Sequence, residues 1–249
     1  FLFIHGDGNP KFSIQDVGQM YLWDIPFFIA GILFLFKKRE GNWWLIPLWL
    51  FLAIIPAATA RETPHALRTE GTLPMFQVLV AYGLMQICTI YGIKLKSFFL
   101  RKSFFIIIFG LLFVNVLYFE HDYYTHYPKT NSGEWQYGYE QSIAYVMSQS
   151  DKYDWIQVTQ SLGRPYIYYL FFTKTDPKVF RQTAKISRDG FGFVSVDQFG
   201  KYHFVRKPQE QIVGRALFVD NPHDVPKTAT VLKTFRLLNG KKVLEVYTL

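Results

Sequence analysis

The chain has 249 residues, half of them hydrophobic and 19% aromatic, with a formal net charge of +8. That much apolar side chain excludes intrinsic disorder, and a single cysteine, Cys88, excludes both an internal disulfide and a cysteine-based metal site. Charge is spread unevenly: residues 1–119 carry 10 Lys and Arg and 6 Asp and Glu, against 17 and 13 in residues 120–249. The first part therefore reads as membrane-embedded and the second as a water-soluble domain. Opening on Phe1 with no signal-peptide pattern, the sequence reads as the later part of a longer protein.

In chain order, a polar stretch comes first: His5-Gly6-Asp7-Gly8-Asn9-Pro10-Lys11. Its glycines lack the strand–turn–helix setting of a dinucleotide fingerprint, so it reads as a Gly/Pro turn. Four apolar runs follow, near residues 18–36, 43–60, 73–93 and 103–119. A span needs roughly 17–25 residues, and backbone groups in lipid favour helices, so the runs predict a bundle of four transmembrane helices. Lys37, Lys38, Arg39, Lys94, Lys96, Arg101 and Lys102 fall on one side, and Lys11, Arg61 and Arg68 on the other. The excess marks the first side as cytoplasmic. Both ends then face outward in a multi-pass protein of the cell membrane.

The polar link between the second and third runs is Arg61-Glu62-Thr63-Pro64-His65-Ala66-Leu67-Arg68-Thr69-Glu70-Gly71. A helical turn begun by Pro64 would set His65 and Arg68 on one face. A guanidinium fork there suits phosphate oxygens, with the imidazole as a further donor. The same residues also suit a blander role, in which Arg61 and Arg68 pair with Glu62 and Glu70 or reach to lipid head groups.

From Glu120 the predicted domain runs to Leu249. Asn131-Ser132-Gly133 marks a turn, and Tyr139, Ile143, Val146 and Met147 recur at helical spacing. Trp155–Thr159, Phe191–Val196, Tyr202–Val205 and Ala216–Val219 read as strands, and Tyr166–Phe172 as a helix. Asp176-Pro177 is a helix start. Asn239-Gly240, between Val231–Leu237 and Val243–Tyr247, predicts a two-residue hairpin. The expected fold is a small extracytoplasmic α/β domain with a mixed sheet. His121, His126, His203 and His223 have no metal-ligand spacing, Ser195 and Asp197 lack a nucleophile-elbow setting, and no nucleic-acid-binding motif is present.

Taken together, Gly-Asp-x-Asn-Pro-Lys from Gly6 to Lys11, Pro-Ala-Ala from Pro56, Glu-Thr-Pro-His-Ala-Leu-Arg from Glu62, Gly163-Arg164-Pro165-Tyr166-Ile167-Tyr168 and Thr175-Asp176-Pro177 form a recognisable series. It resembles the C-terminal half of membrane glycosyltransferases of the GT-C superfamily, in the family 39-like, phospholipid carrier-dependent group related to protein O-mannosyltransferases. The resemblance implies transfer of a sugar from a polyprenyl-phosphate carrier to a protein, lipid or glycan acceptor on the outer face. His65, Arg68 and Arg61 would bind the carrier phosphate. Asp7, Asn9, Lys11 and Glu62 would lie in the same cavity, with Lys11 where many relatives carry Arg. The catalytic acid of the family belongs to an earlier outward loop, so no catalytic residue is assigned within this chain, and the resemblance leaves any divalent metal open. A different class fits the same composition: a non-catalytic membrane-anchored protein whose outer domain binds a ligand or partner.

Overall fold

The computed structural model describes residues 1–59, 63–94, 98–188, 190, 192–206 and 214–249, without the side chains of 91–94 and 101. The chain divides into two compact units, Phe1–Tyr127 and Pro128–Leu249.

In the first unit, residues 1–24 are mostly turns. Their ends meet where the Gln19 and Met20 N–H groups donate to the Phe1 and Leu2 carbonyls. A 3₁₀ turn, Leu22–Asp24, leads into α1, Ile25–Lys38. Pro26 sits in the first turn of α1, where its missing N–H costs nothing. The helix stops at Arg39, in the left-handed region at φ 52°. Helix α2 is Leu45–Ala58, α3 is the short turn Ala66–Thr69, and α4 is Met75–Lys94. Helix α5, Phe98–His121, runs through a π-helical turn, Asp122–His126, into α6, Tyr127–Asn131.

Helices α1 and α4 pack backbone to backbone. A Cβ at Gly83 would lie 1.9 Å from the Phe27 carbonyl oxygen, and one at Gly31 would lie 2.1 Å from that of Leu79. Only a residue without Cβ permits this crossing. Phe27, Leu35 and Leu79 are buried beside it.

The expected bundle of four transmembrane helices is not what forms. Helices α1 and α2 have 14 residues each, or about 21 Å of helix, against a hydrocarbon core of about 30 Å. Among the described residues one helical stretch, Phe98–Asn131, is long and apolar enough to cross a membrane. A second is reached only if Ala66–Thr72 and Met75–Ile90, bent by 56°, count as one span. At the first run two features shorten the helix: the Gln19 and Met20 N–H groups pair with the Phe1 and Leu2 carbonyls, and the start of α1 is fixed locally. The reciprocal hydrogen bonds of Tyr21 and Asp24 and the Pro26 ring fix the start of α1, so the apolar residues before it join a turn region. In the first two runs apolar length overstated helix length.

The second unit is built on a seven-stranded mixed sheet in the order β2-β3-β4-β1-β5-β7-β6. The strands are β1 Trp155–Thr159, β2 Lys185–Arg188, β3 Val194–Phe199, β4 Tyr202–Val205, β5 Ala216–Asp220, β6 Thr230–Arg236 and β7 Lys242–Thr248. β1 is central and parallel to both β4 and β5, and the outer pairings are antiparallel. The helices are α7 Tyr139–Gln149, α8 Tyr166–Thr173 and α9 Pro177–Thr183. Asp176 caps α9, its Oδ1 accepting the Lys178 N–H at 2.7 Å. Ile143 and Val146 of α7 and Tyr169 of α8 enter one core with Ile156, Val158, Leu217, Val219, Leu244 and Val246. The β6–β7 turn has three residues rather than the two expected. Leu237 N–H donates to the Lys241 carbonyl, and Gly240 takes φ 84°, the arrangement of a type I turn followed by a left-handed residue.

Candidate functional site

The candidate site lies in the first unit, where Asp7 and His65 meet. Asp7 is held by a succession of short-range bonds. Its Oδ1 accepts the Asn9 N–H at 2.8 Å, and the Asn9 Oδ1 accepts the Lys11 N–H at 3.0 Å. These are two consecutive Asx turns, the conformation for which Asp and Asn side chains are suited. The Asp7 N–H donates to Ser13 Oγ at 2.7 Å, and the Gln15 amide donates to the Asp7 carbonyl at 2.8 Å.

The second carboxylate oxygen of Asp7 reaches across the unit. Its Oδ2 accepts the Ala66 N–H at 2.6 Å, a bond between residues 59 apart in sequence. The same oxygen lies 3.8 Å from His65 Nδ1, too far for a hydrogen bond. Both side chains are buried, Asp7 at 5% exposure and His65 at 7%. The Phe12 ring covers the imidazole, with ring centres 4.6 Å apart. Further bonds hold the turn: Thr69 Oγ donates to the Ala66 carbonyl at 2.9 Å, Thr72 Oγ to the Thr69 carbonyl at 2.6 Å, and the Trp49 indole of α2 to the Gly71 carbonyl at 2.9 Å.

A cavity of about 460 Å³ adjoins this joint, lined by Lys11, Phe12, Gln19, Glu70, Phe76 and Gln77 among others. It has polar groups of both signs and aromatic faces, the usual make-up of a small-ligand site. Among the described residues no cluster of three or more His, Cys, Asp or Glu could hold a metal ion.

The structure distributes the residues singled out in the sequence as follows. Asp7 and His65 come together, with the Nδ1 edge of His65 turned toward a carboxylate. Lys11 lines the cavity, and Asn9 forms the turn that places it. Arg68 is exposed on α3, one turn beyond His65. Arg61 and Glu62 lie outside the described residues. Gln19, Phe76 and Gln77 had not been singled out. Gln77 did offer a signal, since it is a lone amide near the start of an apolar run. Nothing local in the sequence announced the Asp7–Ala66 bond.

The chain was compared with protein-family models, with curated proteins and with solved structures, and none of them matches it.

Proposed function

We propose that the first unit forms the carrier-binding part of a membrane glycosyltransferase that takes a sugar from a polyprenyl-phosphate donor on the outer face of the cell membrane. The observation that carries this reading is the Asp7 Oδ2–Ala66 N–H bond. It joins the two polar segments whose motifs resemble that family, the turn around Asp7 and the Pro-His-Ala-Leu-Arg turn, beside one cavity.

In this reading Asp7 and His65 are positioning residues. They hold α3 so that Arg68 is presented outward on a turn whose backbone cannot drift. Arg68 offers two parallel N–H donors to phosphate oxygens, and Lys11 adds a point charge in the cavity. During transfer the acceptor oxygen attacks the anomeric carbon and the bond from that carbon to the carrier phosphate breaks. Arg68 then stabilises the negative charge that grows on the leaving phosphate. The base that takes the acceptor proton is not assigned to this chain. The exposed apolar side chains of α5, among them Ile106, Ile107, Phe109, Phe113 and Val114, support a lipid-facing surface, because a large exposed apolar patch needs a partner phase.

The test is sugar transfer by the whole protein as its gene encodes it, using a polyprenyl-phosphate-linked sugar as donor. Arg68→Ala should reduce turnover by about 100-fold or more, and Arg68→Lys should recover part of it. Unchanged turnover in Arg68→Ala would refute the reading.

A further inference from the structure

Helix α5 does not continue as a plain α-helix. The apolar run stops at Phe119, and the backbone then widens into the π-helical turn Asp122–His126. Here the Tyr127 N–H donates to the Asp122 carbonyl, five residues back. Single π-turns inside helices are uncommon and occur frequently at functional sites.

Two histidines owe their meeting to this turn. His121 and His126 are five residues apart. On an α-helix that interval sets two side chains about 140° apart around the axis. A π-turn, whose bonds join residue i to residue i+5, brings residues five apart one above the other. The two imidazoles accordingly lie with ring centres 5.2 Å apart and planes at 72°. Both residues are exposed.

The frame that carries the pair is held on its own account. Phe119, Tyr123 and Tyr127 stack in succession, with ring centres 6.0 and 5.8 Å apart and planes at 9° and 12°. The Tyr127 hydroxyl donates to the Pro10 carbonyl, which ties the end of the turn to the N-terminal segment. Ligands mounted on a fixed turn lose less freedom on binding than ligands on mobile loops.

The separation of the rings suits one chemistry. An imidazole nitrogen binds Zn²⁺ at about 2.0–2.1 Å, which puts the ion about 3.2 Å from the ring centre. Two centres 5.2 Å apart then subtend about 110° at a shared ion, the tetrahedral angle that Zn²⁺ adopts. Exposed rings reach that point by turning about their own side-chain bonds, with no packed core to disturb. We propose that His121 and His126 chelate one divalent transition ion of the zinc class, with water in its remaining positions. Imidazole suits Zn²⁺, Ni²⁺ and Cu²⁺, whereas Mg²⁺ prefers oxygen ligands. Bound there, the ion clips the π-turn closed just beyond the apolar stretch of α5. The proposal is independent of the transferase reading.

The experiment is titration of the whole chain in nanodiscs with zinc chloride, followed by calorimetry. One saturable Zn²⁺ per chain is expected, and excess Mg²⁺ should not displace it. His121→Ala and His126→Ala should each weaken binding at least about tenfold, with the melting temperature of the metal-free protein unchanged. The double variant should lose little more than either single one, because one ion needs both rings. His223→Ala, at another exposed histidine, should bind like the wild type. Electron paramagnetic resonance of the Cu²⁺-loaded protein should show two nitrogen ligands, and fewer in each single variant. The proposal is overturned if Zn²⁺ shows no saturable binding, if either single variant binds as tightly as the wild type, or if Mg²⁺ displaces the ion.

Discussion

Replacing Asp220 with Asn should stabilise the second unit at neutral pH and change the way its stability responds to acid. Asp220 ends β5 and is 1% exposed. It accepts a hydrogen bond from the Tyr247 hydroxyl at 2.9 Å. Burial pushes its carboxyl up from 3.8 to about 6, with the nearby Asp224 adding to the rise, while Tyr247 and Thr159 pull it only part of the way back. Between those two values the folded protein keeps a proton that the unfolded chain has released, so stability falls as pH rises through that window. The interval corresponds to a ceiling of roughly 3 kcal/mol. Asn keeps an acceptor for Tyr247 but brings an amide N–H that needs its own partner, which reduces the net gain to about 1–2 kcal/mol at pH 7. His203 runs the other way. Burial, and secondarily Lys185, depresses it from 6.5 to about 4, so the unfolded chain binds a proton that the folded one refuses and stability climbs with pH between those values. In the wild type the two slopes oppose each other, and from pH 4 to 6 the unit should be nearly indifferent to pH. Asp220→Asn removes one slope and should expose a steady rise. Hydrogen exchange of the β5 and β7 amides, measured by mass spectrometry across that range and corrected for intrinsic rates, reads both effects. An Asp220→Asn protein that is less protected at pH 7, or that keeps the wild-type pH profile, would refute the reasoning.

Two further perturbations probe the first unit. Gly83→Ala places a methyl 1.9 Å from the Phe27 carbonyl oxygen and should cost about 3 kcal/mol by forcing α1 and α4 apart, seen as a lowered midpoint on heating. Gly110→Ala on α5, with nothing within 4 Å of the new methyl, should leave the midpoint unchanged or raise it slightly, and equal midpoints for the two variants would contradict the crossing. Asp7→Asn keeps the shape of the side chain but loses one charge-assisted acceptor, so exchange of the Ala66 amide should quicken about tenfold; unaltered exchange there would remove Asp7 as the tie between the two turns.

Local rules read well where local physics decides. Asp176-Pro177 begins α9 because a cap acceptor and a ring with fixed φ act within three residues. Asn239-Gly240 marks the β6–β7 turn for the same reason, although whether the loop has two residues or three depends on ladder bonds made outside the dipeptide. Helix ends in the first unit were less legible. The residues before Ile25 are apolar enough to belong to a span, and what diverts them is their pairing with residues 1 and 2, a contact that periodicity does not encode. β2 went unread because Lys185–Arg188 is a short, charged edge strand, the kind that resists further pairing and carries little hydrophobic signal. The candidate site divides similarly. His65 and Asp7 stood out as residues, but that Asp7 would be spent on the Ala66 amide while Arg68 stays exposed is a tertiary fact.

The central proposed contact is that of Arg68 with a lipid-borne phosphate. Native mass spectrometry of the reconstituted chain, titrated with a polyprenyl phosphate and with the matching polyprenol, tests it directly. The phosphate form should bind about tenfold or more tightly than the alcohol, and Arg68→Ala should abolish the difference while its melting temperature stays that of the wild type. Equal binding of phosphate and alcohol by the wild type, or a preference that survives Arg68→Ala, would contradict it.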